Sequence, residues 1–437
     1  MPQSPRSSLT IRAEIAAQIG NFGRVMAAIG GTGAEVGGVD IVRSGKSSVT
    51  RDITVAVTDA DHGQAVVAAL DAMDGVSVQS ASDRVTLAHT GGTLTMKSRS
   101  TLTTRDDLSM AYTPGVARVC MTIHHDPERT WDLTIRGNSV VVITDGSSVA
   151  GQGDLGPLAA LPSAEAKCLY LREMAGIDGF PLPLTVRDTG EMTNVVSKIV
   201  SVFAGVHLTD MAAPRCVEVQ AALTAILDIP VLHDEADGTA VAVLAGVING
   251  LGVAGTALGD ATVVVAGSGP GVAVTARLLG AAGVGHVVTP DGGDVRVALA
   301  GADAFVGLGA GALTGDDVAS MAANAVVFAL GTPAELSAAD AGGAAVFGTA
   351  HADLPNQIDA SLAYPGIWRG ALDCRARRID DAMLVAAAHA IAATAGNVEA
   401  DNVVPSVLNA DLVPNVATAV RRAAETSGAA RLTATPA

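Results

Sequence analysis

The chain has 437 residues, of which 49% are hydrophobic and only 3% are aromatic, so its cores are expected to consist of Ala, Val, Leu and Ile. This length exceeds what one core normally supports and predicts two or three domains. A formal net charge of −17, with no basic stripe in the sequence, argues against a nucleic-acid-binding protein and suits a cytoplasmic one.

The first ninety residues predict a small separate module with the element order βαββαβ. Apolar and polar residues alternate along residues 51–57, as they do in a half-buried strand. Further strands are expected at residues 9–19, 39–42 and 76–87, and helices after the turn at residues 20–23 and at residues 62–73. This order and the glycine turn resemble the ACT domain, a regulatory module, which implies a small effector as its ligand. A dimerisation domain that binds nothing would show the same pattern.

Residues 90–93 are interpreted as a linker, beyond which strands and helices alternate. The pattern predicts strands at residues 139–143 and 230–232 and helices at residues 162–175 and 215–227. A second series of strands is predicted at residues 261–266, 286–288, 304–307, 326–330 and 344–347, followed by helices after Asp380 and a polar end. Such alternation indicates an α/β fold with largely parallel sheets. The expected domains are residues 1–92, 93–240, 241–390 and, as C-terminal helices, 391–437.

Three features bear on redox state and location. The four cysteines, Cys120, Cys168, Cys216 and Cys374, include no CxxC pair and are interpreted as reduced, buried thiols. No apolar run near the N-terminus would serve as a signal peptide. Residues 240–259 carry no charge and are long enough to span a bilayer, but their Gly and Asn content favours a buried helix pair. A cytoplasmic protein without membrane contact is therefore expected.

Residues 262–273, TVVVAGSGPGVA, predict an apolar strand, a glycine-rich turn and the start of a helix. Gly267 and Gly269 match the first two glycines of the GxGxxG pattern, whereas Val272 stands at the third position and Gly271 comes one residue early. Such glycines let the backbone approach a pyrophosphate, and the helix N-terminus supplies N–H donors. We predict a Rossmann-like dinucleotide site that includes Ser268; a tight turn without a ligand is the weaker alternative.

An acid that binds the ribose is expected about twenty residues further along the chain. Asp291 is the candidate, since Pro290 occupies the position nearest the strand end. No arginine follows immediately to hold a 2′-phosphate, and this favours NAD over NADP.

Six motifs follow one another between residues 109 and 373: SMAYTPGVA, GDLGPLAA, AGIDGFP, DMAAPRC, HDEADGTA and PGIWRGALD. In this order they resemble the motifs of the bacterial malic enzymes, some of which also carry an ACT domain. The resemblance implies a catalytic α/β domain followed by a Rossmann-like NAD(P)-binding domain. It also implies an activity, the oxidation of malate at C2 with NAD(P) and decarboxylation to pyruvate and CO2.

The resemblance assigns roles to particular side chains. Lys167 would be the general base, competent at neutral pH if burial and nearby charge lower its pKa. Tyr112 would be the acid that protonates the enolate carbon, and Asp234 would orient the lysine. Mg²⁺ or Mn²⁺ would bridge the substrate hydroxyl and carboxylate, and Thr239 is grouped with the cofactor-binding residues. Taken alone, Lys167 would be a surface lysine and Tyr112 a packed aromatic.

Two positions at the expected metal site depart from the family. The family places a Glu-Asp pair where this chain has Thr209 and Asp210, and an Asp where this chain has Glu235. One anionic ligand is lost and another is longer by one methylene, which octahedral Mg²⁺ with ligands at about 2.0–2.1 Å accommodates poorly. These three residues remain the candidate metal site, and weaker binding of the ion is expected.

The expected substrate pocket departs from the family as well. An asparagine pair after Pro-Asn-Gln is replaced by Asp359 and Ala360, and an Ala-Asn-Pro-Thr-Pro loop is replaced by GTPAE at residues 331–335. Losing hydrogen-bond donors for a carboxylate reduces substrate discrimination more than losing apolar contacts does.

Three functions remain open from the sequence. The first is metal-dependent oxidative decarboxylation of malate or a related 2-hydroxy acid. The second is a non-catalytic or regulatory protein that keeps the NAD fold but has lost the metal. The third is redox-neutral conversion of malate to lactate with tightly held NAD. Pairing of ACT-like sheets would make the protein a homodimer or a larger assembly.

Overall fold

The structure, a computed structural model, describes residues 8–290, 293–351 and 354–432. The chain forms two compact units, Met1–Thr93 and Leu94–Ala437. The finer domain boundaries at residues 240 and 390 stay predictions. Asp291 and the last five residues of the polar end lie outside the described residues.

The first unit has the predicted order βαββαβ. Its elements are β1 Ser8–Ala16, α1 Asn21–Gly31, β2 Glu35–Ser44, β3 Ser48–Ala56, α2 Ala60–Asp71, β4 Val76–Asp83 and α3 Arg84–Ala88. The strands form an antiparallel sheet in the order β2-β3-β1-β4, with Ile11 and Ile53 fully buried against the helices. The predicted last strand was too long, because the Asp83 carboxylate accepts the N–H groups of Val85 and Thr86 and starts a short helix.

The second unit begins with helices and a four-stranded parallel sheet in the order β6-β5-β7-β8. Its elements are α4 Arg105–Ala111, α5 Gly115–His125, α6 Thr130–Leu133, β5 Ser139–Thr144, α7 Gly156–Ala175, β6 Asp178–Pro183, α8 Thr189–Ile199, β7 Gly205–Leu208, α9 Arg215–Ile226, β8 Val231–His233 and α10 Thr239–Ala254. The sequence did not predict β6, which contains two prolines and lies at the sheet edge where proline is tolerated. It also missed β7, a strand of only 4 residues.

The second sheet of this unit has five parallel strands in the order β10-β9-β11-β12-β13. Its elements are β9 Thr262–Gly267, α11 Gly271–Ala281, β10 His286–Val288, α12 Val295–Leu299, β11 Ala304–Leu308, α13 Gly315–Ala319, β12 Val326–Ala329, β13 Val346–Thr349, α14 Tyr364–Asp373, α15 Asp381–Thr394 and α16 Leu412–Ser427. All five strands were predicted, because each is a short apolar run between turn residues. The predicted α/β class with parallel sheets is thereby confirmed.

The apolar segment that follows the acidic turn, Asp234–Gly238, is a single helix, so the predicted helix pair was wrong. Residues Asp234–Ala254 are long and apolar enough to cross a membrane by length and composition, but 72% of the most apolar window is buried inside the protein. Helix α10 packs against α11, α15 and strand β12. Its high hydropathy therefore reflects burial on all sides within the core of this unit.

The cysteine prediction was correct for three residues and wrong for one. Cys168, Cys216 and Cys374 are buried, but Cys120 is exposed. Cys120 lies on α5, where only Gly115 is buried, so this helix offers no core position for its thiol.

Candidate active site

The carboxyl ends of β5, β7 and β8 meet at one edge of the first parallel sheet. Asp145 follows β5, Thr209 and Asp210 follow β7, and Asp234 and Glu235 follow β8. Parallel strands place their carboxyl ends at the same edge, which is where α/β proteins bind ligands. The topology therefore brings together acidic residues that are far apart in the sequence.

Lys167 of α7 contacts Asp234 at this edge, with 2.7 Å between Nζ and Oδ2. Asp234 is fully buried and the lysine side chain is 26% exposed. Burial opposes the charged amine, but Asp234, Tyr364, Glu235 and Asp359 together outweigh it and raise the pKa of Lys167 well above its ordinary value. In turn, burial opposes the carboxylate, while Lys167 and His207 hold the pKa of Asp234 well below its usual range. The lowered lysine pKa expected from the sequence is therefore absent in this arrangement.

His207, a fully buried residue of β7, also contacts Asp234. Its Nε2 lies 3.3 Å from Oδ2 of Asp234, and its Nδ1 accepts a hydrogen bond of 3.0 Å from the indole N–H of Trp368. Because an indole nitrogen can only donate, the proton of a neutral His207 must be on Nε2, facing the carboxylate. No pattern in the sequence points to this residue, since it lies in a short strand outside every motif.

Glu235 is held by the turn that follows β7. Its Oε1 accepts hydrogen bonds from the Thr209 hydroxyl at 3.0 Å and from the backbone N–H of Asp210 at 2.9 Å. Asp210 itself has a positive φ of 54°, a conformation that is uncommon outside glycine and is often found at functional sites. The predicted metal residues Thr209, Asp210 and Glu235 are thus brought together.

Three carboxylate oxygens at this place are buried and make no hydrogen bond among the described residues: Asp210 Oδ2, Asp234 Oδ1 and Glu235 Oε2. Burial, together with the nearby Asp234 carboxylate, raises the pKa of Glu235 well above its ordinary value, and burial also raises that of Asp210. Ligand atoms of His233, Asp234 and Glu235 all lie within 4.8 Å of one another. Unpaired buried carboxylate oxygens are costly, and such oxygens are the ligands that Mg²⁺ and Mn²⁺ prefer. The residues present therefore fit a divalent cation.

Arg215, from the DMAAPRC motif, holds the loop around the acidic cluster. Its guanidinium contacts the Asp145 carboxylate and the Ser147 hydroxyl, the latter at 2.8 Å. The same hydroxyl accepts the N–H of Ala212 at 2.8 Å. The loops after β5 and β7 are thereby joined through buried polar groups, which fixes the backbone beside Asp210.

The predicted acid Tyr112 lies at the surface of the single chain. It follows α4 and is 73% exposed. The phenol that does lie near the amine is Tyr364, with 5.8 Å between Nζ and the ring centre. Burial raises the pKa of Tyr364 well above its ordinary value, and the side chain is almost completely buried. The sequence analysis missed this residue, which stands immediately before the PGIWRGALD motif.

The glycine-rich turn joins β9 to α11 as predicted. A Cβ at Gly267 would lie 2.1 Å from the carbonyl oxygen of Leu308, and its φ of 150° also disfavours a side chain. At Gly269 the only neighbour within reach is that oxygen, at 3.7 Å, so the space above this glycine is open. At Gly271 a Cβ would lie 3.0 Å from the backbone oxygen of Glu235. The start of the predicted nucleotide helix thus lies directly against the acidic turn.

The other two predicted cofactor residues contribute less to the observed geometry. Ser268 donates its backbone N–H to the oxygen of Leu308 at 3.3 Å, which fixes the turn. The Thr239 hydroxyl donates to the backbone oxygen of Asp234 at 3.4 Å, within the turn that starts α10. Both assignments stay predictions.

The two departures in the expected substrate pocket have structural roles. Glu335 is buried and accepts N–H groups from Gly309 at 2.6 Å, Ala310 at 3.1 Å and Gly331 at 3.0 Å. The Asp359 carboxylate accepts the N–H of Ser361 at 2.9 Å and caps a helical turn. Both carboxylates are therefore used to fix loops at the end of the second sheet.

Two family models match this chain. They are described as malic enzyme, N-terminal domain, over residues 92–194, and malic enzyme, NAD binding domain, over residues 311–425. The NAD-dependent malic enzyme of Geobacillus stearothermophilus is 39% identical over 467 residues, covering 99% of this chain and 97% of that protein. The chain belongs to the malic enzyme family.

Other members of the malic enzyme family support the same assignment. NAD-dependent malic enzyme 1 of Bacillus subtilis (strain 168) is 35% identical, with 96% of this chain and 98% of that protein covered. The crystal structure of malic enzyme from Pyrococcus horikoshii Ot3 matches with a TM-score of 0.75 and 34% identity, covering 78% of this chain and 89% of the other. The family resemblance and fold class expected from the sequence are confirmed, whereas the ACT likeness of the first unit stays a prediction.

Proposed function

We propose that this chain is a malic enzyme that converts malate to pyruvate and CO2 while reducing NAD(P), with NAD as the preferred dinucleotide. One observation carries the proposal: the Lys167 amine contacts the buried Asp234 carboxylate beside the unpartnered oxygens of Asp210 and Glu235. A related 2-hydroxy acid would present the same hydroxyl and carboxylate. NAD is preferred because it is the dinucleotide in the names of the relatives that cover nearly the whole chain.

Lys167 would take the proton from the substrate C2 hydroxyl, and NAD(P), held at the glycine-rich turn, would supply the hydride acceptor for C2. The β-carboxylate of the resulting oxaloacetate leaves as CO2, and the enolate carbon takes up a proton from Tyr112. Asp234 fixes the amine, and His207 fixes Asp234. A cation bound beside Asp234 and Glu235 would offset their negative charge. It would thereby lower the pKa of Lys167 toward the range that a base at neutral pH requires.

We propose that Asp210 and Glu235 hold Mg²⁺ or Mn²⁺, with Thr209 next to them. An ion bound there would supply Lewis acidity to the substrate oxygens. The unpartnered oxygens of these carboxylates support this assignment.

Tyr112 acts in a dimer under this proposal, because in the single chain its phenol faces solvent. Leu108, Met110 and Met121 on the same two helices, α4 and α5, are also more than half exposed. Apolar side chains grouped in this way are typical of a surface that a second copy covers. Mixing inactive Tyr112→Phe and Lys167→Ala chains tests this arrangement, since a mixed dimer whose sites draw the two residues from different copies regains one complete site.

The test of the proposed function is malate-dependent reduction of NAD and NADP in the presence of Mn²⁺. Lys167→Ala should lower kcat by about 100-fold or more, since general-base catalysis contributes on the order of 10²–10⁴. Lys198→Ala, a change of an exposed lysine on α8, is the matched control and should leave kcat unchanged. Turnover that survives Lys167→Ala, or dinucleotide binding without turnover of any 2-hydroxy acid, would contradict the proposal.

The non-catalytic alternative has no support among the described residues, which retain the amine, the buried carboxylates and the glycine turn. For the first unit we propose a regulatory role with a small effector, and for the whole protein a cytoplasmic location. Titration of the full-length enzyme with candidate effectors, read as a change in malate KM, tests the first of these.

A further inference from the structure

The two departures at the expected metal site face each other. The resemblance to the malic enzymes implies a glutamate at position 209 and an aspartate at position 235, where this chain has Thr209 and Glu235. The Thr209 hydroxyl donates to Glu235 Oε1 at 3.0 Å. The short Thr209 side chain thus lies at the end of the longer Glu235 side chain. A glutamate at position 209 would instead place a second carboxylate against Glu235 in a buried setting.

Thr209 has no exposed surface, so its hydroxyl must find its acceptors within the protein. Besides Glu235, the described acceptor is Asp234 Oδ2 at the longer distance of 3.5 Å. The backbone N–H of Asp210 donates to the same Glu235 oxygen at 2.9 Å. Two donors therefore fix Oε1, and they restrict a side chain that would otherwise retain several rotamers.

The second carboxylate oxygen of Glu235, Oε2, remains without a hydrogen-bond donor among the described residues. Oε2 is buried and has no hydrogen bond, although 37% of the whole side chain is exposed. Nε2 of His233 lies 3.4 Å from Oε2 without forming a hydrogen bond.

We propose that Thr209 and Glu235 form a compensating pair in which Thr209 positions Glu235, so that Oε2 serves as a cation ligand together with Asp210. The two departures then adapt the metal site instead of degrading it. This inference rests on the proposed function, because it takes the cation to be the divalent ion of that reaction. Thr209 is a positioning residue: it acts through Glu235.

The experiment measures Mn²⁺ affinity of the full-length protein without substrate, by the loss of the free Mn²⁺ electron paramagnetic resonance signal. Thr209→Val keeps the shape of the side chain but removes the hydroxyl and should weaken Mn²⁺ binding on the order of 10-fold. Thr209→Ser restores the donor and should bind nearly as the wild type does. Thr275→Val is the matched control, because Thr275 is also fully buried but its hydroxyl has no partner among the described residues.

A double-mutant cycle separates compensation from degradation. Thr209→Glu and Glu235→Asp should each weaken Mn²⁺ binding, and the double variant should recover to within a few-fold of the wild type, since the two side chains act together. Tighter binding by Thr209→Glu alone would show a degraded site and overturn the proposal, as would additive losses in the cycle. Should Thr209→Val fail to fold, Thr209→Ser and the cycle decide the question.

Failure of this inference can be told apart from failure of the proposed function. Unchanged Mn²⁺ affinity in Thr209→Val, combined with Lys167-dependent malate turnover, refutes only the pair. If the Mn²⁺ affinities in the double-mutant cycle are coupled but no variant or wild-type protein turns over malate, only the catalytic function is refuted.

Discussion

Trp368 and His207 are joined by a hydrogen bond between the indole N–H and Nδ1, although they lie 161 residues apart in the sequence. The bond connects α14 to the inner strand β7 and sets which nitrogen of His207 faces Asp234. Trp368, His207, Asp234 and Lys167 thus form a series of polar contacts, through which we expect the indole to influence the position of the lysine.

Trp368→Phe should weaken both folding and catalysis. The phenyl ring fills most of the space but leaves Nδ1 of a fully buried histidine without its donor, which costs about 1–3 kcal/mol. The free energy of unfolding from urea titration and the kcat for malate should both fall. Trp131→Phe is the control, because Trp131 is the other buried tryptophan and packs against Arg136 and Arg375. Trp131→Phe should lower the free energy of unfolding but leave kcat unchanged. Equal kcat values for Trp131→Phe and Trp368→Phe would exclude a role for the indole N–H of Trp368.

Substitutions in the glycine turn should separate folding from dinucleotide binding. Gly267→Ala forces a methyl group to within 2.1 Å of a backbone oxygen and should prevent stable folding. Gly269→Ala meets only one atom, at 3.7 Å, so the fold should persist while the added methyl group blocks the approach of the pyrophosphate. Thermal unfolding and the KM for NAD measure the two effects. A wild-type KM in a folded Gly269→Ala protein would show that the nucleotide binds elsewhere.

The capping box of α4 predicts an acid-sensitive element just before Tyr112. Backbone and hydroxyl hydrogen bonds from Thr103 and Thr104 lower the pKa of Asp107 from 3.8 to about 2. A carboxyl group with a lower pKa in the folded state stabilises the fold above its unfolded pKa, and this contribution is lost as pH falls. The stability difference between the wild type and Asp107→Asn should thus be constant above pH 3.8 and shrink toward about pH 2.

Hydrogen exchange of the α4 amides, compared between the two proteins across this pH range, measures that difference locally. Asp106→Asn, a change in the same helical turn, is the control and should show a smaller effect at every pH. Identical pH profiles for both variants would contradict the role of the capping box.

In the folded protein, one of the four cysteines should react with a thiol reagent. Burial raises the pKa of Cys168 to about 12 and those of Cys216 and Cys374 to about 11, and only the thiolate reacts readily. Exposed Cys120 should take up iodoacetamide alone, and the other three should react only after unfolding. Mass spectrometry of the labelled protein measures this, and Cys120→Ser should abolish labelling of the native state. Labelling of Cys216 in the folded protein would show that the loop after β7 opens.

The sequence was sufficient where local patterns determine structure. Short apolar runs bounded by turn residues located β5 and every strand of the second sheet. Strands β6 and β7 were missed, because prolines obscure the first and the second is too short to show alternation. Lys167 and Asp234, which the motifs assigned to one site, lie in contact, whereas their catalytic roles stay predictions.

The remaining site residues could not be predicted from the sequence, because they depend on distant partners. The role of His207 depends on its hydrogen bond with Trp368, which is distant in the sequence. The role of Glu335 depends on the backbone N–H groups that donate to its carboxylate. The pKa of Lys167 is raised, whereas a lowered pKa was expected. Its direction depends on whether burial or the neighbouring groups have the larger effect, and the sequence alone does not determine this. The exposure of Tyr112 likewise follows from packing that no local pattern encodes.

The contact between Gly271 and the backbone of Glu235 has a consequence for how the reactants are accommodated. No side chain lies between the first residue of the nucleotide helix and the acidic turn, so nothing there can yield when either one shifts. A displacement of the helix end should therefore move the acidic turn as well. Binding at the glycine-rich turn is then expected to alter the shape of the carboxylate site.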